Sequence, residues 1–148
     1  MDVRRVCVYC GASAARDPAV EAEIRKFGRE AAHKRVTEMK VVHTMHDRDQ
    51  TMFDLGDAFV AFPGGFGTLD QLLEMITWKQ LGIHGKPVVI ANIGGYFDPL
   101  LQQFENAIRS GYARPHDRIV YAVAANTTAI LTLLEGAPVL FRKPGNWA

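Results

Sequence analysis

Short apolar runs alternating with amphipathic helical patterns predict an α/β fold: a Rossmann-like parallel sheet with helices on both faces, in a single domain. Three observations carry this. Runs such as Val6-Cys7-Val8-Tyr9 and Asp57 to Phe62 are almost continuously apolar, as strands buried on both faces are. The segments between such runs repeat apolar residues at three- and four-residue spacing. Helix start signals, Asp17-Pro18, Asp98-Pro99 and Asn126, precede three of those segments. Strands alternating with helices build a parallel sheet covered on both sides.

The elements follow in order. Arg5 to Tyr9 is a buried strand ending at the turn Cys10-Gly11-Ala12-Ser13. Pro18 to Lys34 is a helix capped by Asp17, with Val20, Ile24, Phe27 and Ala31 on one apolar face. Met39 to His43 is a short strand candidate, and a polar segment with Arg48 leads into a helical turn over Gln50 to Leu55. Asp57 to Phe62 is a strand that stops at Pro63-Gly64-Gly65-Phe66-Gly67-Thr68. A helix from Thr68 to Leu81 carries Leu72, Leu73, Ile76 and Gln80 on its inner side and ends at Gly82. Lys86 to Asn92 is a strand, Asp98 to Ser110 a helix, Ile119 to Val123 the last strand, and Asn126 caps a final helix reaching Glu135. Pro138 to Ala148 reads as an irregular extension.

The bulk properties narrow the function. A chain of 148 residues fits one domain and buries enough apolar surface to need no staples. The net charge of +1 provides no basic field for nucleic acid, so an anionic ligand must be held by local groups. Cys7 and Cys10 are spaced as C-x-x-C, but residues three apart on a strand point to opposite faces, which disfavours redox or metal pairing. No other ligand pair, and no partner for His43, His46 or His84, has metal spacing, so no metal is expected. No apolar stretch approaches the roughly 20 residues of a membrane span. The amino-terminal run is too short and too polar for a signal peptide, and free thiols suit a reducing compartment, so the expected location is the cytoplasm.

The segment with most chemistry is strand–PGGFGT–helix. It places a glycine-rich turn at the carboxyl edge of the sheet, where open α/β sheets bind ligands. Glycines let the backbone approach a ligand closely, and the helix start offers unpaired N–H groups and a partial positive charge. Phosphate is the expected guest, with Thr68 adding a hydroxyl donor and a cap. The turn is neither a G-x-x-x-x-G-K-[ST] loop nor a G-x-G-x-x-G fingerprint, and a purely structural turn packing helix on strand remains the alternative.

Pro63-Gly64-Gly65-Phe66-Gly67-Thr68 resembles the PGGxGT core of the Lonely Guy (LOG) family. Leu72 to Val88, Met45-His46-Asp47-Arg48, Val6 to Ser13 and Gly94 to Leu100 extend the resemblance, which covers Val6 to Glu135. It implies hydrolysis of the N-glycosidic bond of cytokinin riboside 5′-monophosphates, releasing an N6-substituted adenine and ribose 5-phosphate. It also implies a homodimer or larger homo-oligomer, with the Gln71 to Leu81 helix contributing to the interface, and no cofactor. An older lysine decarboxylase label attached to some relatives is set aside, since no pyridoxal phosphate site is legible here.

The resemblance assigns catalytic positions to Arg48 and Gln71. It assigns nucleotide contacts to Arg48, Gly64, Gly65, Phe66, Gly67, Thr68, Leu69, Asp70 and Thr77. Gly11 and Ser13 are candidates for the ribose-phosphate edge, or an ordinary turn. Taken alone, Arg48 is a solvated arginine between Asp47 and Asp49, and Thr77 a helix-face hydroxyl. His84 reads as a helix C-terminal cap or a solvated residue, and Trp78 as packing or an oligomer contact. Two departures stand out. The family motif continues to a glutamate where this chain has Gln71, with Asp70 beside it and Glu74 one turn on. The family also carries a further strand–helix unit with a GGGxxGLMG loop, whereas here Arg35 runs straight into Val36; either the protein has lost that unit or it carries it in addition to these 148 residues, and the second is expected. Two rivals follow: a non-catalytic nucleotide sensor or carrier, which Gln71 favours, and a nucleosidase for plain AMP.

Overall fold

The computed structural model describes residues 3–11, 17–33 and 45–136, with the backbone alone at 31–33 and 45–49. Four parallel strands lie in the order β1 (Val6–Tyr9), β2 (Ala58–Ala61), β3 (Val88–Ala91) and β4 (Ala122–Ala124). Register runs Val8 opposite Val60, Val60 opposite Val89, and Val89 opposite Ala122. Helices α1 (Pro18–His33) and α2 (Met45–Leu55) precede β2; α3 (Phe66–Gln80), α4 (Asp98–Arg109) and α5 (Thr127–Gly136) follow β2, β3 and β4. The predicted strand at Met39 to His43 and the tail from Pro138 lie outside the described residues.

Strand alternation sorts the core into two layers. Val20 and Phe27 of α1 and Ile130 and Leu134 of α5 pack with Ala58, Val60, Val89 and Ala124 on one face. Leu72 and Met75 of α3 pack with Tyr9, Phe59, Ala61, Val88 and Ile90 on the other, joined by Met52 and Phe53 of α2 and Phe104 of α4. The expected α/β sheet covered on both faces is therefore the observed one. Cys7 lies under the second layer, its thiol donating to the Met52 carbonyl at 3.1 Å, while Cys10 is exposed; neither is disulfide-bonded. Burial pushes the Cys7 thiol up to about 11, so it is inert at neutral pH.

The caps largely follow the sequence. Asp17 accepts the Ala19 amide at 2.9 Å and Asn126 that of Ala129 at 2.9 Å. At Gly82 the amide bonds Lys79 O at 3.0 Å and that of Ile83 bonds Trp78 O at 2.8 Å, closing α3 as a Schellman turn. Four expectations need correction. Helix α3 begins at Phe66, so Gly65 is the N-cap and Thr68 caps nothing. Its buried face is Thr68, Gln71, Leu72 and Met75; Leu73 is exposed and Gln80 donates to Asp117 at 2.8 Å. At α4 the N-cap is Phe97, because the Asp98 carboxylate turns instead to Asn92 at 2.7 Å. The last strand begins at Ala122, because Pro115 and the Asp117 carboxylate, which accepts the Arg114 amide, wind 115–120 into a 3-10 helix.

His84 is neither solvated nor a simple cap. It is buried, accepts the Lys86 amide at Nδ1 (3.1 Å) and therefore carries its proton on Nε2, which faces the Met75 carbonyl at 2.9 Å. Burial holds its pKa down to about 4 from 6.5. The unfolded chain then binds more protons between these values, so stability is full above about 6.5 and falls as pH drops toward 4. Unfolding at pH 7 and pH 5 is expected to differ by about 2 kcal/mol from this group. A His84→Phe variant, less stable overall, should show a flatter profile over that interval; equal slopes would refute the assignment.

Candidate functional site

The site is built where strand ends meet at the carboxyl edge. Phe62 N–H donates to Tyr9 O at 2.8 Å and Gly11 N–H to Pro63 O at 3.3 Å, which ties the end of β1 to the turn after β2. Gly64 is squeezed in this junction. A Cβ there would run into Thr68 Oγ1, and would lie 2.7 Å from Thr68 Cβ and 2.8 Å from the Gly11 nitrogen. Only a residue without a side chain lets helix and strand end approach so closely. Added carbons at Gly65 and Gly67 meet nothing within 4 Å.

Helix α3 starts at once from this turn. Its first intrahelical bond is Leu69 N–H to Gly65 O at 3.1 Å, so the amides of Phe66, Gly67 and Thr68 have no acceptor within the helix. Gly65, Phe66 and Gly67 are exposed, Phe66 at 92%. The result is a ring of backbone donors at the positive end of a 15-residue helix, open to solvent. An anionic oxygen cluster is what such a surface can hold.

The expected site residues divide into three groups. Gly11, Gly64, Gly65, Phe66, Gly67 and Thr68 are brought together, with Thr68 buried behind the turn. Leu69 is half-buried, Asp70 exposed, and Gln71 buried at 6% exposure. Thr77 is exposed and stands nine residues beyond Thr68, about 14 Å along the axis, so it is not gathered at the turn. Arg48 falls in the first turn of α2, but its side chain, like all of Ser13, lies outside the described residues. Among the described residues no group of three or more His, Cys, Asp or Glu could hold a metal ion, and no helix is long and apolar enough to cross a membrane.

One residue was not singled out from the sequence. Tyr96, in the loop between β3 and α4, donates its hydroxyl to the Gly64 carbonyl at 2.6 Å while its ring stays half-exposed. The available signal was Gly94-Gly95 three residues past the end of β3, a second glycine turn at the same edge.

A family model described as "possible lysine decarboxylase" matches residues 11–134, which includes the whole of this site. An Arabidopsis thaliana cytokinin riboside 5′-monophosphate phosphoribohydrolase is 31% identical over 176 residues, covering 89% of this chain and 81% of the relative. The chain belongs to the LOG family. A Rhodococcoides fascians protein of the same name is 43% identical over 115 residues, covering 78% of the chain and 54% of that relative. A probable one from Oryza sativa subsp. japonica is 44% identical over 107 residues, covering 72% and 44%. The chain spans about half the length of these last two LOG relatives. The Arabidopsis alignment is longer than the 148-residue chain itself, so that LOG protein has residues without counterpart here.

Proposed function

We propose that this chain binds a nucleoside 5′-monophosphate and hydrolyses its N-glycosidic bond, with N6-substituted adenosine 5′-monophosphates as preferred substrates. The observation that carries the reading is the exposed helix start at Gly65, Phe66 and Gly67 in a chain whose relatives are named for this reaction. Water adds to the anomeric carbon as the carbon–nitrogen bond breaks, and the base leaves with a proton; ribose 5-phosphate is the other product. The exposed amides of Gly65, Phe66 and Gly67 receive the phosphate, with Thr68 and Gly11 shaping the turn. Leu69, Asp70 and Thr77 complete the candidate contacts, and Ser13 adds to the ribose-phosphate edge.

Arg48 supplies charge to the phosphate or ribose. Its helix rises about 16 Å over eleven residues and ends beside the start of β2, a length that carries its first turn toward the carboxyl edge. The oxocarbenium-like state wants a carboxylate nearby. Gln71 stands at the family's position for it, and an amide offers neither full charge nor a basic oxygen. Turnover is therefore slow unless Asp70 or Glu74 substitutes. The same observation supports a second reading, a nucleotide sensor or carrier of this fold.

We further infer that the protein carries, between Arg35 and Val36, the strand–helix unit that the family resemblance implies, in addition to these 148 residues; an intact mass of 16.4 kDa would refute this, and a larger mass would support it. Homo-oligomerisation through α3 and its C-cap, where Leu73 and Leu81 are exposed, and a cytoplasmic location, suited to two free thiols, complete the reading. The deciding assay incubates the protein with N6-isopentenyl-AMP and, separately, AMP, and follows free base by chromatography. Release from the prenylated nucleotide supports the hydrolase. Equal release from AMP makes the chain a general nucleosidase, and binding without release a sensor.

A further inference from the structure

We propose that Tyr96 is a positioning residue of the glycine turn, fixing the Gly64–Gly65 peptide so that the amides after it meet a phosphate; this rests on the nucleotide reading above. Its hydroxyl reaches the Gly64 carbonyl at 2.6 Å, at the short end for an O–H···O bond. The loop that delivers it is held at both ends. Asn92 N–H bonds Ala124 O at 2.8 Å, linking the loop to β4. The Asn92 side chain accepts the Phe97 amide at 2.7 Å and donates to Asp98 at 2.7 Å.

Between these anchors Gly94 and Gly95 take φ of 59° and 75°. At Gly95 a Cβ would also stand 2.6 Å from Asp98 Oδ2. Phe97, 1% exposed, plugs into the core and meets the Tyr96 ring edge-on with centroids 5.0 Å apart. Tyr96 is thus a 51% exposed side chain on a heavily braced backbone, with its one polar atom spent on the phosphate turn.

The bond matters electronically as well as sterically. The Gly64 carbonyl and the Gly65 N–H belong to one peptide unit. Donating to the carbonyl polarises that unit and makes its N–H a stronger donor. It also stops the peptide from rotating its oxygen toward an incoming anion, which it would repel.

The test is calorimetric binding of AMP, adenosine and inorganic phosphate to the protein and to Tyr96→Phe. Losing one hydrogen bond should weaken AMP and phosphate by about 2- to 10-fold and leave adenosine unchanged. A merely structural role would move AMP and adenosine alike, and that result overturns the proposal, as does unchanged AMP affinity. If the unaltered protein binds neither AMP nor phosphate, the nucleotide reading fails and the role of Tyr96 with it. If it binds both and Tyr96→Phe does equally well, only the role of Tyr96 fails.

Discussion

Replacing Gln71 by glutamate is expected to raise the rate of base release from N6-isopentenyl-AMP by about 10²- to 10⁴-fold, the range general acid–base catalysis contributes. The two side chains have the same shape, so the buried inner face of α3 accommodates either. What changes is charge and basicity. At 6% exposure a carboxyl loses much of its hydration, which raises its pKa toward neutrality, where a general base works best. The variant's rate should therefore climb with pH through that raised value, while the parent protein's stays flat. Gln71→Leu, of similar size and without polar atoms, should gain nothing. Initial rates measured chromatographically at several pH values test this. An unchanged rate with AMP binding intact would move the carboxylate role to Glu74 or Asp70, or leave the chain a binding protein.

Strand and helix order was legible because fully apolar runs of four to six residues have few alternatives between capped amphipathic segments. The ends were less legible. Ile119 and Val120 look like strand, yet Pro115 and the Asp117 side chain satisfy local backbone groups in a 3-10 turn first. Leu73 looks like core, but the helix rotates to bury Gln71 and Thr68 instead. The glycine turn was visible as a motif, whereas Tyr96 was not, since its partner is a backbone carbonyl 32 residues away. Periodicity carries no information about such a bond.

The topology holds a further clue. Helices α1 and α2 both lie between β1 and β2, yet they cover opposite faces. Crossovers between parallel strands are right-handed almost without exception. Helix α3, joining β2 to β3, and α4, joining β3 to β4, share the face of α2. A helix on the other face is what a connection to the far side of β1 requires. A strand beside β1, such as the unit proposed between Arg35 and Val36 would supply, would need α1 on that face.

The three glycines of the turn look interchangeable in sequence, but their substitutions are expected to separate sharply. Gly64→Ala forces a methyl group into Thr68 and the Gly11 amide, so strand end and helix must part. Overpacking of this kind costs about 1–3 kcal/mol, and AMP affinity should fall by about 10- to 100-fold as the amide ring loses its geometry. Gly65→Ala and Gly67→Ala meet no protein atom within 4 Å, and Gly65 sits at an ordinary φ of −92°. Gly67→Ala should fold at least as well as the parent, gaining up to about 1 kcal/mol from helix propensity, whereas Gly65→Ala puts alanine at the N-cap, where glycine is preferred, and should lose some stability. Their effect on binding decides what the turn is for. If the open space over 65 and 67 is where a phosphate sits, Gly67→Ala should weaken AMP while leaving thermal unfolding unimpaired, and Gly65→Ala should weaken AMP by more than its loss of stability explains. If the turn merely packs helix on strand, Gly67→Ala will leave AMP affinity unchanged, and Gly64→Ala and Gly65→Ala will act through stability alone. Thermal unfolding and AMP titration of the three variants, read side by side, separate a phosphate cradle from a structural turn.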